Sequence, residues 1–182
     1  MSALSSLLVQ DRILSVTQVE QVLQRQVILG GDLAANLLEL GMIREDVLIE
    51  YAAKVVRMPV LARDKLDAVD PRVLAMLPWS IVNERRIVPV ERRGKSLVVA
   101  AAGPIAASAL DDIAFLLNVE IVPNLVIEYR LAMALQRYYG IPMNGRATAL
   151  HRKLCPSYPV DAKPIVTRQM SGPPIVATGD PE

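Results

Sequence analysis

Apolar residues recur at three- and four-residue intervals through the first 56 positions, but in short bursts separated by corners instead of one long stripe. Laying SSLLVQDRILSVTQVEQVLQRQ over AANLLELGMIREDVLIEYAAKV at a fixed offset matches Leu8 with Leu37, Val9 with Leu38 and Ile13 with Met42. Leu14 then matches Ile43, Val19 matches Leu48, Leu23 matches Ala52, and Gln26 matches Val55. Each copy reads as a short helix, a tight corner and a longer helix, so residues 1–56 are predicted to be a duplicated helical hairpin whose apolar stripes stack on each other. Ser15 with Gln18 has the spacing of a capping box for the second helix of the first copy. Gly41 suits the left-handed residue that ends the short helix of the second.

Beyond residue 57 the period shortens. Asp70-Pro71 is an N-cap and first-turn pair for a short helix, and another turn of helix is expected after Pro78. RIVPVE and SLVVAAA alternate as strands around RRGK, a hairpin link, with Pro89 directing its strand to a sheet edge. ASALDDIAFLL returns to helical spacing, VEIVPNLV is a third strand, and IEYRLAMALQRYY is an amphipathic helix closed by Gly140. The expected fold class is therefore α+β: duplicated helical hairpins (1–56), then a small, mainly antiparallel three-stranded sheet with packed helices (57–140). From 141 to 182 the periodicity fades and seven of the chain's thirteen prolines appear, together with its only histidine and only cysteine. That segment is expected to be a flexible, extended tail.

Composition narrows the function. The 182 residues are 52% apolar and 21% charged, as expected of a folded chain, and the formal net charge of +1 gives no global attraction to nucleic acid. Aromatic residues make up only 4%, too few for base-stacking platforms. No apolar run is long enough to cross a membrane, and the N-terminus lacks signal-peptide features. A single cysteine, Cys155, fits the cytosol.

Catalytic chemistry finds no support. Gly94-Lys95-Ser96 would need a glycine at 89 to be a phosphate cradle, but Pro89 stands there with no N–H to offer, and a strand follows instead of a helix. His151 and Cys155 sit four apart without further ligands. Asp111 and Asp112 are adjacent and point apart on a helix. Arg85, Arg86, Arg92, Arg93 and Lys95 form the one basic cluster, flanking an edge strand. It suits an acidic partner, but its position favours a solvated hairpin tip, charged to prevent edge-to-edge pairing. A second candidate contact surface is the hairpin side bearing Asp32, Glu39, Arg44 and Glu45.

The order of these parts resembles the N-terminal domain of the assembly ATPases of type II secretion and type IV pilus systems, over residues 1–140. Leu77-Pro78, Val88-Pro89-Val90, the small-residue strand ending at Gly103-Pro104, and Tyr138-Tyr139-Gly140 carry the likeness. The resemblance implies a non-catalytic protein-interaction, adaptor or regulatory module, cytoplasmic and recruited to the inner-membrane face. Its implied partner is a cytoplasmic part of a secretion or pilus platform or its regulator, with neither nucleic acid nor membrane insertion. No ATPase domain follows, so a free-standing copy or a fragment is expected. One branch of the family binds cyclic di-GMP through two motif copies that fall on the hairpins. In the first copy the Arg-Leu-Gly positions are Ala3, Leu4 and Ser5, the glycine is Arg12, and the glutamine survives as Gln26. In the second they are Asp32, Leu33 and Ala34, the glycine survives as Gly41, and the glutamine is Val55. Both arginines are gone, so cyclic di-GMP is not expected as a ligand, and no other cofactor is implied. A nucleotide sensor with a degenerate site remains the alternative.

Overall fold

The computed structural model describes residues 2–168. The duplication is physical. The helices are α1 (Ala3–Gln10), α2 (Val16–Leu29), α3 (Leu33–Leu40) and α4 (Glu45–Val56). α1 packs on α4 and α2 on α3, so each copy's short helix lies against the other copy's long one. Equivalent positions are buried in pairs: Leu8 and Leu37, Leu14 and Ile43, Val19 and Leu48, Val22 and Tyr51.

The two corners close with the same hydrogen bonds. Ile13 N–H donates to Leu8 O at 2.9 Å, and Met42 N–H donates to Leu37 O at 3.1 Å. Each corner turns on a left-handed residue, Arg12 (φ 57°) and Gly41 (φ 68°). The corner geometry therefore persists even where the glycine has become arginine. The Ser15–Gln18 capping box is present on α2.

The second half contains α5 (Arg63–Asp67), α6 (Pro71–Leu74), α7 (Trp79–Arg85), β1 (Val88–Arg93), β2 (Ser96–Ala101), α8 (Ala107–Leu117) and β3 (Glu120–Leu125). The fold is α+β with a three-stranded sheet ordered β1-β2-β3, but the sheet is mixed where a mainly antiparallel one was expected. β1 and β2 form the antiparallel hairpin, while β2 and β3 run parallel because α8 carries the chain back to the starting end of the sheet. The prolines are placed without loss. Pro89 sits at a register irregularity in edge strand β1. In β3, Glu120 and Val126 donate toward β2 while Leu125 donates outward to Pro59 O. Pro123 therefore shares Leu125's outward parity and removes no ladder bond.

α9 (Glu128–Tyr139) is the central element. Tyr129, Ala132 and Met133 join the core of the helical repeats, while Leu131, Ala134, Leu135, Tyr138 and Tyr139 join the core under the sheet. Gly140 ends the helix in the left-handed conformation.

The chain does not become an extended tail there. Residues 145–154 form a further helix, α10 (Gly145–Leu154), packed on α9. Asn144 caps it by accepting from Ala147 N–H at 2.8 Å, and Ala147, Leu150 and His151 are buried. Val160 and Val166 continue the burial, and Ile165 and Val166 N–H groups both donate to Tyr138 O at 2.9 Å. A three-residue inward stripe inside GRATALHRKL is too brief to register as periodicity, and the prolines masked it further. Residues 169–182 of the expected tail lie outside the described residues.

Candidate functional site

Two side-chain networks organise the faces that the sequence marks as candidate sites. The first surrounds Glu39 on α3. Its carboxylate accepts from Arg25 of α2 and from Arg146 of α10 at 2.5 Å each. Both guanidinium groups also donate to Asn36 Oδ1, and Arg146 Nη1 donates to Gly30 O at 2.5 Å. Asn36, fully buried, donates in turn to Gly30 O and Asp32 O. Burial works to raise the Glu39 pKa, but the two arginines outweigh it and hold the carboxyl below its ordinary range. Arg146 lies tight against Gly31, where any Cβ would collide with its guanidinium.

The second network joins the two halves of the molecule. Glu45, at the start of α4, accepts from Arg130 Nη2 (2.9 Å) and from Tyr129 O–H (2.5 Å), both on α9. A further short bond comes from Arg130 Nε, and Arg63 of α5 stands at 3.2 Å. The Glu45 and Arg130 side chains are only 14% and 12% exposed. Burial again favours the protonated acid, but hydrogen bonds from Arg130 and Tyr129, with the charges of Arg130 and Arg63, keep the Glu45 pKa below normal. Arg130 Nη2 also lies 3.2 Å from Cys155 Sγ. The pair forms part of the lining of a cleft of about 780 Å³ between the halves, with Gly41, Ile43, Val60 and Leu154 among its walls.

Comparison with known proteins places this architecture. Residues 56–145 match the MshEN domain. This segment, just under half of the chain, is similar to that domain. The chain is 30% identical over 137 residues to the type IV pilus assembly ATPase PilB of Myxococcus xanthus, covering 75% of this chain and 24% of that protein. It thus spans about a quarter of the length of the curated relative it matches. The structure of MshE with cdg superposes with a TM-score of 0.57 at 27% identity, covering 76% of this chain and all of that one. The N-terminal domain of XpsE shares the fold, with a TM-score of 0.51 at 22% identity, covering 75% of this chain and 94% of that one.

Within this fold the positions singled out in the sequence have local structural roles. Ala3 is the exposed first residue of α1, and Ser5 is buried, its hydroxyl donating to Ser2 O at 2.9 Å. Arg12 is exposed at the first corner. Gln26 donates to Gly31 O at 2.8 Å. Asp32 caps α3 by accepting from Ala35 N–H at 2.6 Å, and Ala34 and Val55 are half-buried. Glu39 and Glu45 are consumed by arginines, so the hairpin side is not the open charged surface that their sequence positions suggested. Arg44, by contrast, is exposed and pairs with Asp46.

The five cations divide between the two ends of β1. Arg85 pairs with Glu84 at 3.4 Å and Arg86 with Glu128 at 3.3 Å, both at the strand's start. At the hairpin tip, Arg93 pairs with Glu91 at 2.9 Å, Arg92 donates to Gly94 O, and Lys95 has no ion-pair partner among the described residues. Val88, Pro89 and Val90 are buried, with α5 and α6 packed on the strand, so little of its length is open to an added strand. Gly94 and Lys95 form the turn itself. His151 and Cys155 are separately engaged, the histidine ring with Tyr158 O and the thiol with Arg130. The arginines that matter most, Arg25, Arg130 and Arg146, were not marked in the sequence. The one legible signal was Asn36, a polar residue inside the apolar run of α3.

Proposed function

We propose that this chain is a non-catalytic protein-interaction module of a type II secretion, type IV pilus or related motility machine, acting in the cytoplasm at the inner-membrane face. The observation that carries the reading is the 30% identity to PilB, sustained over three quarters of the chain. The absence of catalysis is supported by chemistry. Lys95 sits in a hairpin turn, and Pro89 stands where a phosphate cradle would need a glycine N–H. Affinity purification from the native cells should enrich secretion or pilus components over an unrelated bait. A profile without them overturns the reading.

The likeness to MshE with cdg favours a second reading, a cyclic di-GMP sensor. Against it, the two motif openings present Ala3 and Asp32, and the Asp32 carboxylate is spent on a helix cap. A carboxylate beside a phosphate diester repels it, and arginine's bidentate fork has no replacement at either position. Calorimetry with cyclic di-GMP should show no stoichiometric complex at micromolar concentrations. Saturable binding there would restore the sensor reading.

A further inference from the structure

One end of the sheet brings together an exposed aromatic ring and charges of both signs. Glu120 N–H donates to Lys95 O at 2.8 Å and Ser96 Oγ donates to the Glu120 carboxylate at 2.9 Å, so the β1–β2 turn lies beside the start of β3. α8 ends two residues before β3, at the left-handed Asn118, whose N–H reaches Phe115 O. The last turn of α8 therefore neighbours the cationic hairpin tip. Phe115, the chain's only phenylalanine, is 91% exposed, and Leu116 is 44% exposed. One turn earlier Asp111 and Asp112 are exposed, and neither forms an ion pair among the described residues. The spacings Asp111–Phe115 and Asp112–Leu116 are both i, i+4, so each carboxylate shares a face with one apolar side chain.

We propose that Asp111, Asp112, Phe115, Leu116, Arg92 and Lys95 form the docking surface of the interaction module. Its occupant is an amphipathic helix of a partner protein whose apolar stripe covers Phe115. The inference rests on the interaction-module reading and specifies its site. The charge order dictates the partner: basic residues at the end facing Asp111 and Asp112, acidic residues at the end facing Arg92 and Lys95. That order fixes the direction of docking as well as attracting the partner. An anionic lipid surface would meet the two carboxylates in repulsion, and burial of the middle of β1 disfavours an added strand. An exposed aromatic ring with carboxylates one turn earlier and cations at the same end of the sheet has the composition of an interface hot spot. The stripe Val27, Ile28 and Leu29 on α2 is also exposed, but nothing around it defines an occupant, and it serves as the comparison.

The test places the photo-crosslinking residue p-benzoylphenylalanine at position 115 or 28 of the full chain in its native cells. Mass spectrometry then identifies the joined segment. Position 115 should capture a segment that is apolar along one face with basic and acidic ends. A synthetic peptide of that segment should bind the wild-type chain and lose about tenfold or more of its affinity to Phe115→Ala. The double variant Asp111→Lys, Asp112→Lys should weaken it similarly, and reversing the peptide's basic end should recover binding. Capture at 28 but not at 115, or at neither, overturns this surface and leaves the module reading to its own affinity-purification test. Phe115-dependent flotation with phosphatidylglycerol vesicles, or a captured segment lacking the charge order, also overturns the proposal.

Discussion

Glu45 shows how one carboxylate can decide the relation between two halves of a chain. It leaves α4 and meets Arg130 and Tyr129 of α9 and Arg63 of α5, so its charge is held by elements from both sides of the cleft. Breaking one side of such a pair strands the other, because Arg130 is at least as buried as Glu45. Glu45→Gln is expected to cost about 2 kcal/mol in chemical denaturation, in the range of hydrogen bonds to charged groups. A loss below a few tenths would show the pair to be dispensable. Because the Glu45 pKa lies below the ordinary 4.5, its contribution is fully present above that value. It is lost as the pH falls through the lower folded-state value. The wild type should therefore lose stability more steeply than Glu45→Gln below about pH 4.5, and parallel acid titrations check the sign. Arg12 offers the opposite test. A left-handed arginine costs about 1 kcal/mol relative to glycine, partly offset by glycine's greater freedom when unfolded. Arg12→Gly should leave the midpoint unchanged or raise it slightly, while Gly41→Arg should lower it by about 1 kcal/mol.

At the level of elements, most of the architecture was legible because each piece declares itself locally. The second hairpin corner carries its left-handed Gly41, α2 its capping box, α6 its Asp-Pro start, and α8 its helical apolar spacing. What the chain does not declare locally is pairing between distant segments. The parallel β2–β3 ladder and the two-sided burial of α9 depend on how segments far apart meet. α10 is the clearest case: a polar, proline-flanked segment earns its helix from α9 and from Glu39, to which Arg146 donates and whose carbonyl receives Lys153 at 2.7 Å. Its role can be measured. Truncation after Gly140 should expose the Ala132–Met133 face and remove Leu150, Val160 and Val166 from the packing, lowering stability by several kcal/mol. Arg146→Ala should take a smaller share, about 1–3 kcal/mol, because it leaves Asn36 and Glu39 still paired with Arg25. In limited proteolysis the wild type should resist cleavage through residues 145–154, and the arginine variant should open there first. Equal resistance of the two would show that apolar packing alone holds α10.

At the scale of the whole molecule the question is whether two cores make one cooperative unit. They share α9: Met133 fills the core of the helical repeats while Leu131 and Leu135, on the same helix, fill the core beneath the sheet. Neither core is complete without that helix, and Glu45 adds a polar tie across the cleft. Unfolding of the repeats should therefore expose the second core as well, giving a single transition. The chain supplies its own reporter, since Trp79 is the only tryptophan, packs on the sheet-side core and donates to Tyr139 O at 2.9 Å. Met133→Ala lies in the other core and should cost about 2–4 kcal/mol through the cavity it leaves. If α9 couples the halves, the Trp79 fluorescence midpoint in urea should fall together with the far-ultraviolet circular dichroism midpoint, by the same amount. A fluorescence transition that stays in place while the helical signal moves would mean that the repeats unfold alone. In that event a partner docked beside Phe115 would be insulated from the hairpins. Coincident transitions would instead make the hairpins, the cleft and the docking surface parts of one mechanical body, so that binding at one end stabilises the other.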